Sequence, residues 1–271
     1  MAGSIEPRSG AINPAKRGGA FNGSPALHAL LDRLIDYAGL FPPASLPLDR
    51  ALANYHHYRE GKQAWMLGRF VIPASQLPRV PARFETPFAV LSDAEEPLAA
   101  AIEAKQVVST SKPTYCEVGI DLLDAVKAAG SFAKIRTGGT TPHAIPAVET
   151  LAGYITACSE RRLPFKATAG LHHPIRSRHP LTYETEAPVA TMHGFINVFL
   201  AAAFAWHGKT DIEAVLAETD PSAFRFDQRA HWRDLSLSSG QIAEARTHFA
   251  HSFGSCSFEE PIADLEQLGW L

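Results

Sequence analysis

Two stretches of the sequence decide the fold: SFAKIRTGG, residues 131–139, and PFKATAGLHHPIR, residues 164–176. Each opens as a short apolar run, which is typical of a strand buried on both faces in a parallel sheet. Each also carries one lysine near its middle, Lys134 or Lys166, and then runs into glycine. Because a buried ammonium group loses its hydration, two such lysines in two apolar strands need a physical reason.

The surrounding sequence alternates between apolar runs and helical patterns. Strands are predicted over residues 66–72, 88–92, 107–110, 114–119, 132–137, 165–170, 224–227 and 255–258. Helices are predicted over residues 25–38, 47–60, 94–105, 121–129, 141–162, 192–207, 210–218, 239–251 and 260–268. The alternation indicates parallel βαβ units, and no GxGxxG motif follows an early strand, which disfavours a dinucleotide-binding fold. The predicted fold class is therefore α/β, a TIM-like (β/α)-barrel with two N-terminal helices and room for irregularity.

The length and composition of the chain fit one domain. A (β/α)-barrel commonly takes about 250 residues, so residues 24–271 are expected to form a single barrel-like domain. Residues 1–23 are rich in Gly, Pro, Ser and Ala without a hydrophobic period, and we expect a disordered leader there. The formal net charge of −3, with no basic stripe, disfavours nucleic-acid binding. The sequence has no apolar run of about 18 residues, so no membrane span is predicted.

The cysteines bear on the cellular compartment. Cys116, Cys158 and Cys256 are odd in number and far apart, and they have neither a disulfide pattern nor the spacing of metal ligands. We expect free thiols in a reducing cytoplasm. The N-terminus lacks the apolar core of a secretory signal, which favours the same cytoplasmic location.

The two lysines suggest covalent chemistry with a carbonyl compound. In a parallel barrel, functional side chains gather at the carboxyl ends of the strands, where Lys134 and Lys166 are predicted to lie. Burial lowers a lysine pKa, and a second ammonium group nearby lowers it further. A neutral lysine is a nucleophile that forms a Schiff base without any cofactor. The other interpretation is that either lysine points outward or forms an ion pair with Glu117.

The segment over residues 131–171 resembles the class I aldolase barrel of the deoxyribose-phosphate aldolase type. That family has a strand of the form F-V-K-x-x-T-G, a helix that opens with T-P, and a strand that reads V-K-A-x-G-G. The matching positions in this chain are Lys134, Thr137 and Gly138, then Thr141 and Pro142, then Lys166, Ala167 and Gly170. The resemblance implies that Lys134 forms the Schiff base and that Lys166 tunes it.

The sequence also departs from the family pattern. Arg136 stands where the family has a small residue, and LHHPIR replaces its glycine-rich turn. No aspartate stands out on an earlier strand to relay a proton, which leaves Glu117 for that role. The phosphate-binding turn of the family has only a partial match in FGSCS, residues 253–257, so the resemblance does not imply a phosphorylated substrate.

Other polar residues that follow these strands are candidates for substrate binding. Arg136 and the turn Thr137-Gly138-Gly139 before a helix could bind an acidic group, although a tight turn with a helix cap explains the same residues. His172 or Glu117 could shuttle protons. The remaining candidate substrate-binding residues are His173, Arg176, His193 and Arg69, and Asp36-Tyr37 before GLFPP is a weaker candidate for which a structural role is the other interpretation.

Three functions are compatible with the sequence. The leading hypothesis is a Schiff-base lyase or aldolase that acts on a small carbonyl compound with an acidic group. The alternative is a hydrolase or isomerase that binds a divalent metal through Glu117, His172, His173 and His193. The third is a non-catalytic binding protein on a barrel scaffold. The apolar helix predicted over 192–207 covers either a barrel face or a contact in a homo-oligomer.

Overall fold

The computed structural model describes residues 23–84, 86–209 and 211–271. The predicted leader over residues 1–23 lies outside them, apart from Gly23. The strands of the described residues are, in chain order, β1 (Ile35–Tyr37), β2 (Leu67–Pro73), β3 (Phe88–Leu91), β4 (Ala99–Ala104), β5 (Thr114–Glu117), β6 (Phe132–Arg136), β7 (Phe165–Thr168), β8 (Ser177–Pro180), β9 (Val189–Met192), β10 (Phe224–Phe226), β11 (Arg229–Trp232), β12 (Leu235–Ser238) and β13 (Ala250–Ser255).

Eight of these strands close into a barrel. Strands β1 to β7 follow one another around it in chain order, and β13 closes it between β7 and β1. Every neighbouring pair is parallel. The predicted fold class, an α/β protein with a TIM-like (β/α)-barrel, is therefore confirmed.

The helices of the described residues are α1 (Pro25–Leu31), α2 (Leu48–Glu60), α3 (Leu123–Ala128), α4 (Val148–Glu160), α5 (Phe195–Trp206), α6 (Ile212–Ala217), α7 (Ser239–His248) and α8 (Glu259–Gln267). Helix α2 connects β1 to β2, α3 connects β5 to β6, and α4 connects β6 to β7. The connections from β2 through β5 contain loops and a short 3₁₀ helix in place of α-helices, so the barrel is irregular, as the sequence allowed.

A large insertion separates β7 from β13. It contains the antiparallel hairpin β8–β9, the antiparallel sheet β10-β11-β12, and helices α5, α6 and α7. Helix α5 is buried from Phe195 through Phe204, where it packs against α4, α6 and α7. Its apolar surface is therefore covered within the chain. A helix that is apolar all round is expected in such a position.

The first predicted helix is wrong in its second half. It extends over residues 25–38 in the prediction, whereas α1 ends at Leu31 and β1 begins at Ile35. Arg33 adopts a positive φ of 48°, which ends the helical path. Residues 35–37 then pair with both β2 and β13, so the barrel ladder replaces the helical hydrogen bonds.

The predictions between β3 and β5 also fail. A helix predicted over residues 94–105 contains strand β4, because pairing with β3 and β5 outweighs the helix propensity of the run AAAIEA. The strand predicted over residues 107–110 is a loop, in which the carbonyl of Val108 accepts a hydrogen bond from the Ser131 hydroxyl at 2.6 Å.

The last barrel strand lies earlier than predicted. Helix α7 ends at His248, and β13 covers Ala250–Ser255 in place of the strand predicted over residues 255–258. The backbone amide of Phe165 donates to the carbonyl of Phe249 at 2.7 Å, which starts the pairing with β7 at that point. Among the described residues, no helix has both the length and the apolar character needed to cross a membrane.

Candidate active site

The register of three neighbouring strands places the two lysines in one layer of the barrel interior. Lys134 on β6 pairs with Lys166 on β7, and Glu117 on β5 pairs with Lys134. Register partners in adjacent parallel strands point to the same side of the sheet. Lys134 is 5% exposed and Lys166 is 0% exposed, so both side chains extend inward and neither lies in solvent.

A carboxylate that was not predicted from the sequence lies between the two amines. Glu103 on β4 is buried, and its Oε2 lies 2.8 Å from Nζ of Lys134 while its Oε1 lies 2.5 Å from Nζ of Lys166. Asp36 on β1 makes a second contact with Lys166, 2.7 Å from Oδ2 to Nζ. The hydroxyl of Ser252 donates to the same oxygen at 2.8 Å. The direct repulsion between two ammonium groups that we expected is therefore replaced by a shared carboxylate.

These contacts determine the charge of the groups beneath the site. Burial by itself would lower the pKa of Lys166, but the carboxylates of Asp36 and Glu103 outweigh it and hold that pKa above its ordinary value. Burial would raise the pKa of Glu103, yet Lys134 and Lys166 lower it to about 2. Lys166 is thus an ammonium ion at neutral pH.

Glu117 connects Lys134 to the mouth of the barrel. Its Oε2 lies 3.0 Å from Nζ of Lys134, and its Oε1 accepts from Nε and Nη2 of Arg136, both at 2.9 Å. Burial would raise the pKa of Glu117, but Lys134 and Arg136 together lower it. The Arg136 side chain is half exposed, so it can turn from Glu117 toward a ligand.

A cavity of about 660 Å³ opens at the carboxyl ends of the strands. Its polar lining includes Lys134, Glu103, Glu117, Arg136, Thr168 and His172. Lys166 and Asp36 are outside its lining and lie deeper in the barrel. A ligand in this cavity therefore meets the amine of Lys134, and Lys166 acts on that amine through Glu103.

The glycines after the two lysine strands allow two turns to cross. A Cβ on Gly138 would lie 2.7 Å from Cα of Gly170, and Gly170 has a φ of +79°, so neither position tolerates a side chain without a shift. Thr137 stabilises the contact between the two turns, because its hydroxyl donates to the carbonyl of Ala169 at 2.6 Å. Thr137 and Gly138 thus have structural contacts, whereas Gly139 lines the cavity.

The predicted histidines fall in different places. His172 lines the cavity, and its Nδ1 lies 2.7 Å from Oε2 of Glu260. His173 pairs with Asp264 at 2.6 Å and stacks on His179. Only the first of the two neighbouring histidines therefore faces the ligand space.

Three further candidates lie away from the lysines. Nε2 of His193 lies 2.8 Å from the carbonyl of Pro146, and the backbone of Arg176 donates to Asn197. Arg69 lines a separate cavity of about 700 Å³ at the amino ends of the strands. The structure does not bring His193, Arg176 or Arg69 together with Lys134, so we omit them from the candidate site.

The four residues of the metal hypothesis do not converge. Glu117 pairs with two cations, and His172, His173 and His193 each contact a different partner. Over residues 23–84, 86–209 and 211–271, no three or more His, Cys, Asp and Glu side chains are grouped to hold a metal ion.

Glu103 was missed and Asp36 was only a weak candidate, and the reason is the same for both carboxylates. Asp36 and Glu103 both lie in segments that were predicted as helices, where an acidic residue is unremarkable. In each case a signal was present, because the acid stands inside a short apolar run, LIDYAG or AAAIEA. A buried strand containing one charged residue is the same pattern that singled out the lysines.

Comparisons of the chain with protein-family models, with curated proteins and with solved structures find no match.

Proposed function

We propose that the protein is a Schiff-base-forming lyase of the class I aldolase type, which acts on a small carbonyl compound carrying an acidic group. The observation that carries this proposal is that Lys134 lines the cavity at the carboxyl ends of the strands, while Lys166 is buried beneath it and shares Glu103 with it. The roles of the two lysines are those that the resemblance over residues 131–171 implies.

The position of the amines assigns the nucleophile. Lys134 is the amine that a substrate in the cavity can reach, whereas Lys166 is held by Asp36 and Glu103 as an ammonium ion. An ammonium ion is not a nucleophile, because its nitrogen has no free electron pair. Lys166 therefore contributes positive charge beneath Lys134 and keeps Glu103 ionised.

Glu117 is the group that can take the proton of Lys134. Glu103 is a poor acceptor because two lysines lower its pKa to about 2. Glu117 is less deeply buried, and Arg136 provides part of its positive surroundings. When an acidic group of the substrate draws Arg136 away, the proton affinity of Glu117 rises. Substrate binding would then favour transfer of the proton from Lys134 to Glu117.

The subsequent chemistry uses the same groups. The free amine of Lys134 adds to the carbonyl carbon, Glu117 returns the proton to the carbonyl oxygen, and water leaves to form a protonated imine. The imine withdraws electrons from the bond between its α and β carbons, which breaks when Glu117, again a carboxylate, removes the proton of the β-hydroxyl group. The β carbon leaves as a carbonyl compound, and the electron pair of the broken bond remains on the lysine adduct as an enamine. Arg136 holds the acidic group at the mouth of the cavity.

Reductive trapping tests the proposal. The protein is incubated with sodium borohydride and a panel of small aldehydes, ketones and 2-oxo acids, and the intact mass is measured. We expect one equivalent of a reduced adduct with a preferred compound that carries a carboxylate or phosphate. Lys134→Met should abolish this adduct.

Lys105→Met is the matched control, because Lys105 is exposed at the rim of the same cavity and outside the carboxylate network. It should leave trapping intact. Adduct formation that persists in Lys134→Met, or that is lost equally in Lys105→Met, would contradict the proposal, since either result describes general labelling of surface amines.

A further inference from the structure

A second set of reactive groups lies on the wall of the same cavity. Cys256 follows β13, His172 follows β7, and both line the cavity. Nε2 of His172 lies 3.9 Å from Sγ of Cys256, and Nδ1 of His172 lies 2.7 Å from Oε2 of Glu260 on α8. The imidazole thus bridges a thiol and a carboxylate.

This order of groups is the signature of an activated nucleophile. A base must lie within hydrogen-bonding reach of the nucleophile, and a third group must orient the base. The contact of 3.9 Å is long, but such contacts tighten when a substrate binds. We propose that Cys256 is a second nucleophile of the cavity and that its sulfur adds to the carbonyl carbon of an aldehyde. His172 activates Cys256, and Glu260 orients the imidazole of His172.

The other two thiols provide an internal comparison. Cys116 and Cys158 are 0% exposed and lie outside the lining of the cavity. Burial raises the pKa of both thiols, that of Cys158 to about 12, which makes them inert at neutral pH. Cys256 differs from them in having both access to the cavity and an imidazole partner.

The groups around His172 favour its charged form. Burial by itself would lower the pKa of His172, but contacts with Cys256 and Glu260 raise it to about 9. The other ionisable groups near the pair include Tyr183 between β8 and β9, whose hydroxyl lies 3.8 Å from Sγ, Tyr37 on β1, the neighbouring His173, and His179 on β8. An imidazolium beside a thiol favours the thiolate, which is the reactive form of cysteine.

The proposed step is a reversible addition. In the ion pair that the thiol and the imidazole form by proton transfer, the proton lies on Nε2 of His172, and the sulfur of Cys256 forms a bond to the aldehyde carbon. The electron pair of the carbonyl moves to the oxygen, which takes the proton back from His172. The product is a hemithioacetal, and no oxidant, reductant or leaving group is required.

Alkylation with iodoacetamide, followed by peptide mapping, tests the reactivity of each thiol. We expect Cys256 to be modified well before Cys116 and Cys158. The reaction of Cys256 should persist at pH 6, and His172→Gln should lower its rate there by about tenfold, because the imidazole that takes the thiol proton is removed. Glu260→Gln should lower it by a smaller factor.

A second measurement addresses the ligand. Glyoxylate, an aldehyde with a carboxylate, should slow alkylation of Cys256 in the Lys134→Met variant, in which no Schiff base can form at that position. The inference is overturned if alkylation of Cys256 at pH 6 is the same with and without His172, or if glyoxylate gives no protection. Cys256→Ser should still be trapped by borohydride, so failure of this inference and failure of the Schiff-base proposal are distinguishable.

Discussion

Removing the negative charge of Glu103 provides the strongest test of how the interior of the barrel is held together. In Glu103→Gln, the amide oxygen can still accept from one lysine, but the amide nitrogen is a donor and faces the other ammonium group. In this variant, either Lys134 or Lys166 therefore loses its contact with the carboxylate of Glu103. The variant changes few atoms and leaves the volume of the side chain almost unchanged, so packing is not the main effect.

The size of the effect follows from the structure in two ways. The pKa of Glu103 is lowered from 4.5 to about 2 in the folded protein. Each tenfold change in proton affinity corresponds to about 1.4 kcal/mol, so this shift contributes about 3 kcal/mol to the free energy of unfolding at pH 7. Breaking a buried ion pair by removing one partner costs about 3–5 kcal/mol in proteins generally. Both routes predict that Glu103→Gln lowers the free energy of unfolding by at least about 3 kcal/mol.

Urea denaturation at pH 7, followed by circular dichroism, measures this change. Glu149→Gln on α4 is the matched control, because Glu149 is exposed, and such surface substitutions change stability by about 0.5 kcal/mol or less. The stabilisation by Glu103 should be complete above pH 4.5 and disappear as the pH falls toward 2, since its folded pKa is depressed. If Glu103→Gln is as stable as Glu149→Gln at pH 7, the buried network does not have the energetics described.

Three further variants test separate parts of the account. Gly170→Ala should lose about 1–3 kcal/mol of stability in a denaturant titration, because φ is +79° and Gly138 is too close, whereas Gly153→Ala on α4 has open space and should be neutral or slightly stabilising. The raised pKa of folded His172 stabilises the protein below pH 6.5, and this stabilisation is lost as the pH rises through about 9. His172→Gln should therefore remove this decrease in stability, and thermal melts between pH 6.5 and about 9 show whether the decrease persists. Arg136→Gln should raise KM for an acidic substrate by about 10–100-fold and leave KM for a neutral carbonyl compound unchanged; an equal increase in both KM values would refute its role.

The barrel class was predictable because the strongest signals were local. The runs around Lys134 and Lys166 combine apolar residues with bounding glycine and proline, and their register in the structure matches the expectation that they are neighbours. Strands β2, β3 and β5 were predicted from similar runs. In each of these segments, local pattern and tertiary pairing favour the same conformation.

The missed strands are those in which local propensity and tertiary pairing disagree. The residues of β4 are mostly alanine, which favours a helix when the rest of the molecule is ignored. Strand β1 has three residues and directly follows a real helix, so the helical period continues into it. Only the closed ladder of the barrel makes these two segments extended, and a ladder is a property of residues far apart in the chain.

The candidate site was predicted only in part, because two of its carboxylates lie on strands that were not predicted. Lys134, Glu117, Arg136 and His172 were named from the sequence, and the structure brings them to one cavity. The placement of Asp36 and Glu103 depends on β1 and β4, which were not predicted. Without those carboxylates, the charge of Lys166 could not be derived, and the expected direct repulsion between the two ammonium groups followed from an incomplete set of neighbours.

Peptide mapping of the wild-type protein after reduction with its preferred carbonyl compound identifies the lysine that forms the Schiff base. We expect the added mass on the peptide that contains Lys134, with Lys166 unmodified at neutral pH. An adduct located on Lys166, or turnover of the compound with no reducible adduct, would contradict the proposed role of Lys134.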